Sequence, residues 1–122
     1  TAQHDFIVVN FANTDMVGHT GVFEAAVKAT QSVDQCLQEI VPTAQANNYQ
    51  IVIIADHGNS DYMVNPDGSP NTAHSVNLVP IIVLSDKVAT IQNGKLADVA
   101  PTILNLMEIA LPQEMTGNSL IK

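Results

Sequence analysis

Three short polar stretches carry the side chains able to do chemistry. Asp15-Met16-Val17-Gly18-His19 follows the apolar run 6–11, Asp56-His57-Gly58-Asn59 follows the apolar run 51–55, and Thr72-Ala73-His74-Ser75 leads into the run 80–84. A carboxylate and an imidazole four residues apart face the same way on one helical turn, so Asp15 and His19 can reach a single ion. Asp56 and His57 are neighbours. On a continuing strand they would point to opposite faces, whereas a turn at Gly58 lets them converge. A carboxylate at the tip of a buried strand is costly unless a cation or a donor pairs it. Carboxylate plus neutral imidazole suits Mn²⁺, Zn²⁺ or Fe²⁺ better than Ca²⁺ or Mg²⁺ alone, which prefer all-oxygen shells. Each stretch by itself has a plainer reading: Asp15 as the cap of a helix starting near Met16, Asp56 and His57 as a structural pair, His74 as a solvated loop residue. Number and placement favour the metal. Three of the four histidines lie in these stretches, two of them with an aspartate nearby, and His4 reads as exposed.

The elements that must position these groups are legible as an α/β pattern. The runs 6–11, 51–55 and 80–84 are continuous, β-branched and non-alternating, as strands covered on both faces of a parallel sheet read. Between the first two, Val22, Ala26, Ala29, Val33, Cys36 or Leu37, and Ile40 share one helical face. Glu24 and Lys28 form an i,i+4 pair on the polar side, and Pro42 marks the helix end. Strand, helix and strand at this spacing predict a right-handed βαβ unit. A second helix is expected over 98–108, with Val99, Ile103, Leu106 and Ala110 on one face and Pro101 in its first turn. The segment 59–79, with its Asn, Asp, Gly and Pro residues, predicts a long loop or short hairpin. Open α/β sheets place sites at the carboxyl ends of their strands, where these stretches fall. Cys36 reads as a packed core thiol. Asp34, Asp61, Asp67 and Asp98 read as helix-surface, turn or cap residues, and Met63, Met107 and Met115 show no ligand pattern.

Composition bounds the function. At 122 residues with 46% apolar content the chain can bury the core of one domain. Four Lys, no Arg and twelve acidic residues give a net charge of −8, which argues against nucleic acid and anionic membrane surfaces as partners and suits a cation. One cysteine makes no internal disulfide and points to a reducing compartment. No apolar run approaches the roughly 20 residues that span a bilayer, and no signal peptide precedes the first apolar run. A chain that enters an apolar segment almost at once, from Thr1, has the look of a piece of a longer protein.

The stretch from Asn10 to Gly21 (Asn10-Phe11-Ala12-Asn13-Thr14-Asp15-Met16-Val17-Gly18-His19-Thr20-Gly21), with Ala55-Asp56-His57-Gly58-Asn59 and Thr72-Ala73-His74-Ser75-Val76-Asn77, closely resembles the cofactor-independent phosphoglycerate mutase family of the alkaline phosphatase superfamily. The tail segments 96–104 and 116–121 resemble that family's C-terminus. The first motif is highly specific; Asp-His-Gly alone is shared across the superfamily. Thr14 stands where the family usually has Pro, and Ser75, Val76 and Leu78 replace commoner residues, but no ligand position is lost. The resemblance implies an alkaline-phosphatase-like, mostly parallel sheet flanked by helices. Residues 1–122 would be the C-terminal portion of its phosphatase domain, without the N-terminal nucleophile segment and the transferase domain. It implies two divalent metal ions, Mn²⁺ foremost, with Mg²⁺, Zn²⁺ or Co²⁺ as alternatives. Asp15, His19 and His74 would hold one ion, and Asp56 and His57 would supply two ligands of the other.

The nucleophilic serine would lie outside the chain, so no catalytic residue is assigned within it. The intact enzyme would be a cytoplasmic isomerase of glycolysis and gluconeogenesis. It would be monomeric and interconvert 3- and 2-phosphoglycerate through a phosphoserine. The isolated chain is expected to be inactive and to self-associate. Two readings compete: another phosphohydrolase or phosphopentomutase of the same superfamily, and a metal-binding module without chemistry.

Overall fold

The computed structural model describes residues 4–122, which form two compact units. The first comprises the chain up to Glu39 together with His57–Asn77; the second comprises Ile40–Asp56 and Leu78–Lys122.

The first unit opens with residues 6–10 in no hydrogen-bonded ladder. Phe6, Ile7, Val8 and Val9 are exposed. The buried first strand expected over 6–11 is therefore not formed, and the βαβ unit loses its first member. Apolar residues make a strand only when another backbone edge takes their N–H and C=O groups, and no described residue pairs with this segment. Helix α1 follows at Asn13–Gly18 and places Asp15 in its first turn. Helix α2 runs Phe23–Ala46. Ala26 and Ala29 on the expected face are buried, and Val33 and Leu37 are half-buried. Cys36 is exposed, which corrects its assignment to the core: the apolar stripe passes through Leu37 instead. Pro42 lies inside α2 rather than at its end. The carbonyl that Pro42 cannot engage belongs to Gln38, which is exposed, so water can satisfy it. The segment from His57 to Asn77 is a loop, as expected. It is braced by single bridges between Gly58 and Ser75 and between Val64 and Pro70, with Met63 buried.

The second unit holds a two-stranded sheet of β1 (Ile51–Ile54) and β2 (Ile81–Leu84). Both runs form strands as expected, but they pair antiparallel, Ile51 opposite Leu84 and Ile54 opposite Ile81. A parallel pair requires a crossover, usually a helix. Residues 55–80 contain turns and bridges but no helix, so the parallel arrangement gives way to the antiparallel one. After a 3₁₀ turn at Leu96–Asp98, helix α3 spans Val99–Leu106 with Pro101 in its first turn.

The C-terminal tail is fixed to α3 by polar groups as well as by the buried Leu120. Thr102 is fully buried. Its hydroxyl donates to the Asp98 carbonyl at 2.7 Å and accepts the Leu120 N–H at 2.9 Å. Asp98, also buried, accepts the backbone N–H groups of Lys95 and Asn118, each at 2.9 Å. The Asn118 N–H foremost, then that of Lys95, holds its carboxyl below the usual carboxylate range. Thr102→Val keeps the shape but strands the Leu120 N–H. The expected cost is about 1–3 kcal/mol, read as a lower urea midpoint at unchanged slope.

Candidate metal centre

The donor atoms of the first unit converge on one carboxylate oxygen. Helix α1 carries Asp15 in its first turn and is capped at its C-terminus by His19, so the i,i+4 spacing brings the two side chains together. Asp15 Oδ1 lies 3.3 Å from His19 Nε2 and 3.3 Å from His74 Nε2. The two Nε2 atoms are 3.2 Å apart. Ligands held about 2.0 Å from one ion in tetrahedral array are spaced at ~3.3 Å, so this triangle has the dimensions of a metal's coordination face.

The protonation pattern points the same way. His19 Nδ1 lies 2.7 Å from the Thr72 carbonyl oxygen, which can only accept. The ring therefore donates from Nδ1, and in the neutral imidazole Nε2 keeps its lone pair. That lone pair faces a carboxylate oxygen and a second imidazole nitrogen. Asp15 Oδ1 is itself buried and has no hydrogen-bond partner. A buried anionic oxygen without a donor is costly, and a cation at this point would satisfy all three groups together. The donor set thus fits a divalent metal ion.

His57 joins the same cluster. Its ring stacks on His74 with centroids 3.7 Å apart and an interplanar angle of 22°. Asp15, His57 and His74 each offer a ligand atom within 4.8 Å of the others. Four of the five expected ligands, Asp15, His19, His57 and His74, are accordingly together in the first unit. Asp56 belongs to the second unit, beside His57 in the chain.

A profile of the metalloenzyme superfamily matches residues 1–111. The chain belongs to the metalloenzyme superfamily. Within it, the expected resemblance is borne out. The chain is 55% identical, over its whole length, to a 2,3-bisphosphoglycerate-independent phosphoglycerate mutase of Parabacteroides distasonis. It is 56% identical, over 98% of its length, to one of Flavobacterium psychrophilum. It spans 24% of the length of each of these relatives. Among solved structures, a phosphoglycerate mutase of Leishmania mexicana, crystallised at low cobalt concentration, matches 93% of this chain and 24% of its own. The TM-score is 0.80 at 32% identity. The α/β fold of this metalloenzyme chain is thus a partial domain of the alkaline-phosphatase-like kind, small antiparallel sheet included.

Several groups that shape the centre gave no signal in the sequence. The Thr72 carbonyl is backbone and is chosen only by the fold. Asp61, expected as a turn residue, accepts from Ser75 Oγ at 3.1 and 2.9 Å and from Asn77 Nδ2 at 2.5 Å. The Asn77 amide foremost, with help from the Ser75 hydroxyl, holds its carboxyl below the usual range. Asn59 is buried against Gly18, where an added Cβ would overlap its side-chain oxygen.

Proposed function

We propose that this chain is the C-terminal, metal-holding portion of the phosphatase domain of a cofactor-independent phosphoglycerate mutase. That enzyme is an isomerase interconverting 3- and 2-phosphoglycerate. The observation that carries the reading is the Asp15–His19–His74 triangle, set in a chain more than half identical to mutases so named. Asp15, His19 and His74 would hold one ion. Asp56 and His57 would contribute to a second, and Mn²⁺ is the ion this mixed oxygen and nitrogen set favours, with Mg²⁺, Zn²⁺ and Co²⁺ as alternatives.

When bound, the metals lower the pKa of a serine hydroxyl and neutralise phosphate oxygens. This chain's residues prepare for that work. The Thr72 carbonyl fixes the His19 tautomer, Asp15 balances the ions' charge, and α1 presents two ligands from one rigid turn. The phosphoryl-accepting serine and the cationic residues that grip the substrate would come from the rest of the protein, since this chain has no Arg. The exposed apolar run Phe6, Ile7, Val8 and Val9 would be covered there too, and the isolated chain would self-associate through it. The whole enzyme would act in glycolysis and gluconeogenesis, in the cytoplasm and as a monomer. No helix among the described residues is long and apolar enough to cross a membrane, and the charge of −8 disfavours nucleic acid.

The test compares the pure 122-residue chain with the full-length protein in a coupled assay for 2-phosphoglycerate, with and without Mn²⁺. Metal-dependent mutase activity in the full-length protein and none in the chain is the expected result. A full-length protein that only hydrolyses phosphate esters would favour a phosphatase of the same superfamily.

A further inference from the structure

The three residues that follow the His57-Gly58 turn lie outside the donor triangle, yet each reaches a segment that carries a ligand. Asn59 packs on Gly18, the last residue of α1. The Ser60 hydroxyl donates to the Thr14 carbonyl at 3.0 Å, one residue before Asp15. Asp61 reaches the other way, accepting from Ser75 and Asn77, one and three residues beyond His74. The Ser75 N–H also donates to the Gly58 carbonyl at 2.8 Å. One tripeptide therefore grips α1, with Asp15 and His19, on one side and the His74 segment on the other.

The two grips differ in kind. Asn59 and Ser60 hold a helix whose shape is set by its own hydrogen bonds. Asp61 holds two loop residues whose backbone is braced by a single bridge, Ser75 to Gly58, rather than by a helix. The His74 ring stacks on His57, but the residue is exposed, and the polar bonds of Ser75 and Asn77 fix where its backbone lies. We propose that Asp61 is a positioning residue of the metal centre: by fixing Ser75 and Asn77 it holds the His74 Nε2 at the Asp15–His19 face. This rests on the metal-centre reading above. A carboxylate suits the task because its two oxygens accept from both donors together. Without it, the His74 segment has to be ordered at the moment of metal binding, which lowers affinity.

The test titrates the full-length protein with Co²⁺, following the visible d–d bands that report ligand number and geometry. Asp61→Ala is expected to weaken Co²⁺ binding about 10- to 100-fold, the usual effect of losing a partner behind a ligand, and to alter the band pattern. Asp61→Asn should restore most of the affinity, because its oxygen can accept from Asn77 while its amide donates to Ser75 Oγ. Asn77→Ala, which removes one donor only, should shift affinity the same way by less, and it serves if Asp61→Ala does not fold. Wild-type affinity and bands in Asp61→Ala would overturn the proposal. So would equal losses in Asp61→Ala and Asp61→Asn that merely follow a drop in the metal-free melting temperature. A full-length wild-type protein that binds no Co²⁺ contradicts the metal-centre reading itself, and the role of Asp61 with it.

Discussion

Asp15→Ala should cost the chain more metal affinity than any other single change. Asp15 Oδ1 is the common vertex of the donor triangle, 3.3 Å from both imidazole nitrogens, and it is the only anionic group of the three. Removing it leaves two neutral donors and no charge to balance a divalent cation. Loss of a partner behind a ligand costs about 10- to 100-fold, so loss of the ligand that carries the charge should exceed the upper end of that range. The variant should fold, because Asp15 Oδ1 makes no hydrogen bond that the protein would miss. Only one oxygen of this half-exposed carboxylate is buried, and it has no hydrogen-bond donor, so removing it leaves no buried group unsatisfied. A metal-free melting temperature at or above wild type, together with loss of Mn²⁺ binding by calorimetry, is the expected pair of results. Mn²⁺ binding as tight as wild type would place the ion elsewhere.

The second large effect is expected at Gly18. A Cβ there would overlap the Asn59 side-chain oxygen and crowd the Ser60 hydroxyl. Asn59 is buried and cannot swing into solvent without opening the loop, so the conflict has to be relieved by moving α1. Overpacking of this kind costs about 1–3 kcal/mol. The same movement carries Asp15 and His19 away from His74, and Mn²⁺ affinity should fall with stability. Gly18→Ala is therefore predicted to lower both the urea midpoint and Mn²⁺ affinity, whereas Asp15→Ala lowers affinity alone. A Gly18→Ala chain with wild-type stability and binding would show that the contact between α1 and Asn59 is not needed.

The candidate site was more legible in the sequence than the sheet. Asp15 and His19 sit one helical turn apart, a local relation that spacing alone reveals, and α1 forms there. That His74 meets them could not be read from spacing, since 55 residues separate it from His19; only the likeness of its motif to a known family suggested it. Asp61 escaped notice because its partners Ser75 and Asn77 are met through loop geometry, which leaves no periodic trace. The apolar runs 51–55 and 80–84 announced strands, but a continuous apolar run does not say which edge will pair with it. Hence strand existence was legible and strand direction was not. The run 6–11 shows the same limit more sharply: its composition is that of a buried strand, yet no described residue supplies it with a pairing edge. Pro42 illustrates a local rule overridden where the residue whose carbonyl is orphaned, Gln38, is exposed.

Asp15, His19 and His74 together have the dimensions of one face of a metal site. Anomalous diffraction at the manganese edge from crystals of the Mn²⁺-loaded chain tests that site directly. The expected result is a peak about 2.0–2.3 Å from Asp15 Oδ1, His19 Nε2 and His74 Nε2, with the His19 Nδ1 still on the Thr72 carbonyl. A peak bound by other residues, or none at saturating Mn²⁺, would contradict it.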